Sequence, residues 1–290
     1  MKAETAYYRI GGLGLRVDSA LPFDLETNDM RDFRIGEAPA DYVYRFQPCS
    51  NLPEVTGETR VVNEYPFGYD LLGKDGRHFR ALGWKGRLYD VVVSLGADTG
   101  VISYLSEELM AERREAGFLF PNYLALEHLF YRFGGLFLHS SHVNMGGRAL
   151  LFSAPSGTGK STQADLWEKY AGGEIINGDR TLLRKKDGVW HAYGCPMCGT
   201  SGIHKQGCEP IHAIVMLSQG KENTIERLAP FAAFSKIYSQ ITVNFWNREA
   251  QQRAMDLIEQ LVTQVPVYHL RCTISEEAVA CLEAELRRTE

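Results

Sequence analysis

The residues of this chain best suited to chemistry lie in the stretch SAPSGTGKST, residues 153–162. The template for a phosphate-binding loop is G-x-x-x-x-G-K-[ST], in which backbone N–H groups and the positive end of the following helix face the phosphates. Gly159, Lys160 and Ser161 match this template, and Ala154 stands where the template has its first glycine. A small residue suffices at the end of a strand, so the pattern predicts a phosphate site.

Each position of this loop has an expected task in nucleotide binding. Backbone amides cradle the phosphates, the lysine reaches the β- and γ-phosphate oxygens, and the serine hydroxyl ligates Mg²⁺. The expected nucleotide-binding residues are Ser156, Gly157, Thr158, Gly159, Lys160, Ser161 and Thr162. The alternative interpretation is a solvated lysine that follows a glycine turn.

Asp179 is the carboxylate expected to hold the metal together with Ser161. It belongs to EIINGDRTLLR, which directly follows the helix after the loop and predicts a short strand that ends at Asp179. A β-α-β return brings such an end to the edge of the sheet where the loop lies. The later apolar strand, IHAIVMLSQG, ends in Ser218 and Gln219 without a carboxylate. The alternative role of Asp179 is that of a turn former.

Hydrophobic patterns place the loop between a strand and a helix. The apolar runs 136–143 and 148–153 flank a Gly-Gly turn and predict an antiparallel pair whose second strand leads into the loop. Residues 160–170 predict a helix that ends at Gly172-Gly173. Two amphipathic helices around the strand VPVYHLRCTI are expected toward the C-terminus.

Residues 1–115 predict a β-rich region, and residues 116–290 predict a separate α/β domain that includes a linking helix after Pro121. Short aromatic and β-branched runs between turn signals are typical of an antiparallel β-meander. Lys74-Asp75-Gly76 is the expected tip of one hairpin. Nothing in the first region indicates chemistry.

Composition argues against several classes of function. The net charge of −5 gives no basic footprint for nucleic acid, so no nucleic-acid partner is expected. No apolar run approaches the ~20 residues that span a bilayer, so no membrane partner is expected either. The six cysteines are unevenly spread, which favours a reducing compartment over a disulfide framework. We therefore expect a cytoplasmic protein.

The order of four motifs resembles the HPr kinase/phosphorylase family, whose nucleotide site is related to that of phosphoenolpyruvate carboxykinases. The motifs are His139, APSGTGKST, NGDRTLLR and GCPMCGTSG, within residues 136–290. The resemblance implies a carboxykinase-like P-loop domain with a mixed sheet, preceded here by the β-rich region. It also implies a kinase that uses ATP and Mg²⁺ to phosphorylate a hydroxyl of a small molecule or of a peptide or protein serine, and that assembles as a homo-oligomer.

The resemblance also assigns roles to individual residues. HPr kinases carry paired aspartates after the loop helix, whereas this chain has Gly178-Asp179. The expected catalytic residues are Asp179, Lys160 and His139, the last matching the histidine that the family has before its loop. Either Asp179 or His139 is expected to act as the general base. If His139 does not, its expected role is structural. His142 is a weaker candidate for a functional histidine. No signature for dephosphorylating HPr is found, so phosphorylase activity is not predicted.

Cys195-x2-Cys198-x5-His204-x3-Cys208 is the alternative metal site. Three thiolates and an imidazole suit tetrahedral Zn²⁺. In the resembling families this segment is a loop of small residues without metal, so no zinc is expected.

Two further functions compete with the kinase. The first is a regulatory protein that binds nucleotide without turnover, which Gly178 favours because it replaces the first of the paired aspartates. The second is a carboxykinase, a weaker hypothesis because the chain is short for that family. Arg180 and Arg184 are expected either to meet phosphate or to solvate a strand. The chain has no N-K-x-D guanine reader, so ATP is expected over GTP.

Overall fold

The structure, a computed structural model, describes residues 4–20, 30–51, 59–65, 68–74, 77–84, 87–95, 100–106 and 124–289. The chain forms two compact units, Met1–Leu126 and Glu127–Glu290. The boundary expected after residue 115 and the hairpin tip expected at Asp75-Gly76 lie outside the described residues. The described residues form a mixed α/β fold with more strand than helix, and they contribute one sheet to each unit.

The described part of the first unit is one nine-stranded sheet with the order β3-β1-β2-β4-β9-β8-β7-β6-β5. The strands are β1 (Glu4–Ile10), β2 (Leu13–Ser19), β3 (Arg34–Ile35), β4 (Tyr42–Cys49), β5 (Thr59–Tyr65), β6 (Gly68–Gly73), β7 (His78–Trp84), β8 (Arg87–Leu95) and β9 (Gly100–Ser106). Fully buried aromatic side chains, among them Tyr8, Tyr44 and Phe46, form its core.

This sheet is mixed, so the antiparallel meander that the sequence predicts is correct only for part of it. Strands β5 to β9 do form an antiparallel meander. Strands β2 and β4, and β4 and β9, pair in parallel instead. Parallel neighbours need a long connection between them. Turn residues and the alternation of apolar and polar residues indicate only pairings between strands that are close in sequence. They therefore do not predict the two parallel pairings.

The second unit contains helices and a second sheet. Its strands are β10 (Gly135–Met145), β11 (Arg148–Ser153), β12 (Glu174–Asn177), β13 (Arg180–Lys186), β14 (Val189–Tyr193), β15 (Cys208–Gln219), β16 (Thr224–Arg227), β17 (Ile241–Thr242) and β18 (Val267–Cys272). Its described helices are α1 (Leu126–Arg132), which begins at the last residue of the first unit, α2 (Lys160–Ala171), α3 (Pro230–Tyr238), α4 (Arg248–Gln264) and α5 (Glu276–Thr289).

Two long strands, β10 and β15, organise the second sheet. The first part of β10 pairs with β13 and β17, and its last part pairs with β11 and β12, in each case antiparallel. Strand β15 pairs with β14 at its start and runs parallel to β11 and β18 further on. The predicted antiparallel pair around Gly146-Gly147 is therefore confirmed as β10 and β11.

Helices cover this sheet on two sides, and each side has its own hydrophobic core. Ala164 and Trp167 of α2 and Leu282 of α5 are buried in one core. Ile237 of α3 and Ile258 of α4 are buried in the other. The amphipathic helices predicted from the sequence thus supply both covering layers. In the described ranges, no helix has the length and the apolar composition that crossing a membrane requires.

Candidate functional site

Strand β11 leads directly into the loop 154–159, and α2 begins at the next residue. Gly157 and Gly159 have φ angles of 77° and 119°, in the left-handed region that favours glycine. The amide of Thr158 donates to the carbonyl of Pro155 over 3.3 Å, which closes a tight turn. The two glycines therefore set the shape of the turn, and the loop ends at the positive pole of a twelve-residue helix.

Lys160 lies inside this loop rather than in solvent. Its side chain is buried, 7% exposed, and its Nζ donates to the carbonyl oxygen of Ala154 over 3.2 Å. Burial lowers the pKa of Lys160, while the nearby carboxylate of Asp179 opposes the shift. The solvated lysine of the alternative interpretation does not fit this placement.

Asp179 lies at the same end of the sheet as the loop. Strands β11 and β12 are both antiparallel to β10, so they are parallel to each other and their C-terminal ends share one edge. The prediction that β12 ends at Asp179 is wrong, because the strand ends at Asn177 and Asp179 lies in the turn before β13. The side chain of Asn177 causes this early end, since it caps the turn as described below.

The carboxylate of Asp179 contacts His139 and Arg180. His139 Nε2 lies 3.1 Å from Asp179 Oδ1, and Arg180 Nε lies 3.4 Å from Oδ2. The hydrogen bond with His139, followed by the positive charges of Arg180 and Lys160, lowers the pKa of Asp179, although burial opposes the shift. The charged form stabilises the fold fully above the ordinary pKa of 3.8, and this contribution is lost as the pH falls through the lowered value.

Asn177 holds the turn that carries Asp179, and the sequence interpretation missed it as a site residue. Its Oδ1 accepts hydrogen bonds from the amides of Asp179 and Arg180, both at 2.9 Å. Its Nδ2 donates to the carbonyls of Cys195 and Met197 at 2.9 and 3.0 Å. Asn177 is fully buried, so it joins the Asp179 turn to the loop after β14. The local signal for this kind of turn is the pair Asn177-Gly178, since an asparagine side chain can accept from the backbone amide two residues later.

Replacing Asn177 by alanine is expected to destabilise the second unit. Four backbone groups lose their partner, but three of these hydrogen bonds are only partly buried and water can replace the lost partner, so we expect a total cost of about 2–3 kcal/mol. We expect the Tm to fall by roughly 4–12 °C, measured by scanning calorimetry. Asn144→Ala is the matched control. Its Oδ1 accepts from the exposed amide of Gly147, and its Nδ2 makes one long contact of 3.5 Å with Glu209 Oε1, so no buried backbone group loses a partner. An equal fall in both variants would contradict the role assigned to Asn177.

The loop after β14 also accounts for the glycine at position 178. A Cβ atom on Gly178 would lie 2.2 Å from Ser201 Oγ and 2.5 Å from Ser201 Cβ. A Cβ on Gly199 would lie 2.7 Å from Asp179 Cγ. The space that a second aspartate would need is thus filled by Ser201, and Gly199 allows the loop to approach Asp179 closely.

The structure brings part of the predicted site together. Lys160, His139 and Asp179 form one group, and Thr158 and Thr162 line a cavity of about 480 Å³ beside the loop. Ser156 and Ser161 are exposed.

Three other residues that the sequence offers as site candidates either lie outside this group or make contacts that support the fold. His142 is fully buried, with Nε2 3.0 Å from Glu209 Oε2. Arg184 Nε donates to the carbonyl of Phe133, which is a structural contact. Arg180 reaches the hydroxyl of Thr242 with its guanidinium, in addition to its contact with Asp179.

The cysteines of the alternative zinc site do not assemble. Cys195 Sγ lies 3.2 Å from the carbonyl of Arg180, and burial raises the pKa of its thiol to about 12. Cys208 is exposed, and His204 Nδ1 lies 3.1 Å from the carbonyl of Gly202. Within the described ranges, no three His, Cys, Asp or Glu side chains form a group that could hold a metal ion.

We expect the purified protein to contain no stoichiometric zinc, measured by elemental analysis of the desalted protein. Cys198→Ser, which removes one thiol of the motif, should leave the metal content and the Tm close to those of the wild type. One zinc per chain that disappears in this variant would overturn the expectation.

Residues 124–284 match the family model described as "SynChlorMet cassette protein ScmC". The chain belongs to the ScmC family. The matched segment includes β10, the loop, α2, Asp179 and the loop after β14, so every residue of the candidate site lies inside it. The family that the comparison shows is thus ScmC, while the motifs of the chain resemble those of the HPr kinases.

No curated protein matches the chain significantly. Among solved structures, the Hpr(Ser) kinase/phosphatase from Coxiella burnetii is similar, with 9% sequence identity and a TM-score of 0.31. This similarity covers 53% of the present chain and 97% of the other.

Proposed function

We propose that this ScmC family member is an ATP-dependent phosphotransferase with a carboxykinase-like P-loop domain. It transfers the γ-phosphoryl group of Mg·ATP to a hydroxyl of a small molecule or of a peptide or protein serine. The loop 154–159 and the first turn of α2 would bind the phosphates, with Ser161 and Asp179 on the metal.

The observation that carries this proposal is the placement of Lys160 between the loop and Asp179. A buried ammonium, loop amides at a helix N-terminus and a carboxylate held ionised are what a bound Mg²⁺–triphosphate requires. Mg²⁺ usually takes only one or two carboxylates and completes its shell with phosphate oxygens and water. One aspartate is therefore enough, and phosphoryl transfer depends mainly on placement and charge neutralisation.

The pairing of His139 with Asp179 bears on the general base. A carboxylate whose pKa is lowered is a weak proton acceptor, because a general base works best with a pKa near the working pH. Imidazole is the side chain suited to accept a proton near neutral pH. We infer that Asp179 orients His139 through Nε2 and contacts the metal, while His139 Nδ1 accepts the proton of the acceptor hydroxyl.

The second candidate function is nucleotide binding with regulation and without turnover. Gly178 favours it, since the chain lacks the first of the paired aspartates and Ser201 occupies the space. Both functions require nucleotide binding, so only a measurement of phosphoryl transfer distinguishes them.

The direct test is a phosphorylation screen with Mg·ATP, in which small hydroxyl compounds and serine peptides are analysed by mass spectrometry. The kinase proposal expects a phosphorylated acceptor and a matching amount of ADP. ATP at about a hundred times its dissociation constant should add about 2.7 kcal/mol of stability to the unliganded protein. GTP at the same concentration should raise the Tm less. Tight Mg·ATP binding with no transfer to any acceptor would favour the regulatory protein, and absence of nucleotide binding would overturn both.

A further inference from the structure

A cavity of about 480 Å³ opens beside the loop that is proposed to bind phosphates. One wall is formed by Gly157, Thr158 and Gly159 of the loop and by Thr162 and Gln163 of α2. The opposite wall is formed by the ends of two strands. Leu217, Gln219 and Gly220 lie at or just after the end of β15, and Cys272, Thr273 and Ile274 lie at or just after the end of β18. Its volume is in the range of small-molecule sites, which measure roughly 300–1,000 Å³.

Gln163 connects the two walls and has unused hydrogen-bonding capacity. Its Nε2 donates to Cys272 Sγ at 3.3 Å and to the carbonyl of Thr273 at 3.4 Å. The side chain is 3% exposed, and its Oε1 accepts no hydrogen bond from any residue that the structure describes. Because the amide hydrogens are already engaged, the side chain can take a further partner only if that partner is a donor.

We propose that this cavity binds the nucleoside of an adenine nucleotide, and that the Gln163 side chain turns its buried Oε1 toward the cavity to accept a hydrogen bond from the adenine 6-amino group. The inference rests on the proposed function in one respect, namely that the adjoining loop holds the phosphates. A guanine base presents a carbonyl oxygen at the corresponding position, which would face the oxygen of Gln163. The cavity therefore selects adenine through the hydrogen-bonding state of one buried side chain.

Apolar contact comes from Leu217 on the strand wall and from Ile274 at the rim. Ile274 is 77% exposed, which is unusual for a large aliphatic side chain and leaves it available to cover the face of a base. Gln219 Nε2 donates to the carbonyl of Thr158 over 3.4 Å, so the strand wall is tied to the loop. Base and phosphate subsites are thus parts of one continuous surface.

Cys272 provides a readout that does not depend on catalysis. Its thiol lines the cavity, whereas Cys208 is exposed on another strand and serves as an internal reference. The full chain is treated with N-ethylmaleimide, and the modification of each cysteine is followed by mass spectrometry. At about ten times its dissociation constant, ADP should slow the modification of Cys272 about tenfold by occupancy alone and leave Cys208 unchanged. Inorganic tripolyphosphate, which has no base, should leave both rates unchanged.

Two variants test the walls. Ile274→Ser should weaken ADP binding about tenfold and leave tripolyphosphate binding unchanged, since burial of an aliphatic side chain is lost. Phe231→Ser is its matched control, because Phe231 is 86% exposed and does not line the cavity. Gln163→Leu should reduce the preference for ADP over GDP by about 2–10-fold, the effect of one hydrogen bond.

The outcomes separate this inference from the proposed function. Protection of Cys272 by ADP without any phosphoryl transfer would support the cavity and count against the kinase. Phosphoryl transfer from ATP together with unprotected Cys272, or with equal effects of Ile274→Ser and Phe231→Ser, would overturn the cavity and leave the kinase intact. Equal protection by ADP and GDP would overturn the adenine assignment.

Discussion

Asp179→Asn is expected to reduce phosphoryl transfer by about 10²–10⁴, the range typical of losing acid–base function at an active site. Asparagine keeps the size of the side chain but removes the charge that Mg²⁺ and the His139 imidazole require. Binding of nucleotide without metal should survive, because the loop and Lys160 stay in place. The rate of ADP formation with a working acceptor measures the loss.

The matched control is Asp187→Asn, which makes the same chemical change in an exposed turn. Asp187 has a φ of 51°, and asparagine tolerates this left-handed conformation. Its activity should equal that of the wild type. Near-full transfer by Asp179→Asn would show that the active site does not lie around this aspartate.

His139→Ala decides which group accepts the proton. If His139 is the base, transfer falls by a factor comparable to that of Asp179→Asn. A loss of less than about tenfold would return His139 to a structural role and leave Asp179 as the base.

Lys160→Met is expected to weaken ATP binding about 10–150-fold and to reduce turnover as well. Hydrogen bonds to charged groups contribute roughly 1.5–3 kcal/mol, and the ammonium contacts phosphate in the ground state and in the transition state. Methionine retains the buried stem of the side chain. It loses the hydrogen bond to the Ala154 carbonyl, so the Tm of the variant is measured beside its affinity.

The control for this variant is Lys169→Met, at the exposed end of the same helix. Lys169 lies over the ring of Tyr170, 4.6 Å from the ring centroid, and not at the loop. Calorimetric titration with ATP compares the two. Unchanged affinity in Lys160→Met would contradict phosphate binding by this lysine.

The loop and its flanking elements could be predicted because their signals are local. Gly157 and Gly159 have left-handed φ angles, and Ala164 and Trp167 follow the helical period of a buried face. Such features depend on residues a few positions apart. A single sequence is sufficient to read them.

The rest of the site depends on contacts between residues distant in the chain. The role of Asn177 could not be predicted, because its partners at Cys195 and Met197 are about twenty residues away. The steric reason for Gly178 is Ser201, and the base cavity joins α2 to the end of β18. Periodicity and motif spacing do not report which loops approach one another, so these features required the folded structure.

The central claim is that the loop and Asp179 form one Mg²⁺–nucleotide site. Calorimetric titration of wild type and Asp179→Asn with ATP, in the absence and in the presence of saturating Mg²⁺, tests it directly. We predict that Mg²⁺ tightens ATP binding to the wild type by about tenfold or more, as expected for a charged ligand to the metal, and has little effect on the variant. Equal tightening in both proteins would contradict the claim, since the metal would then be held without Asp179.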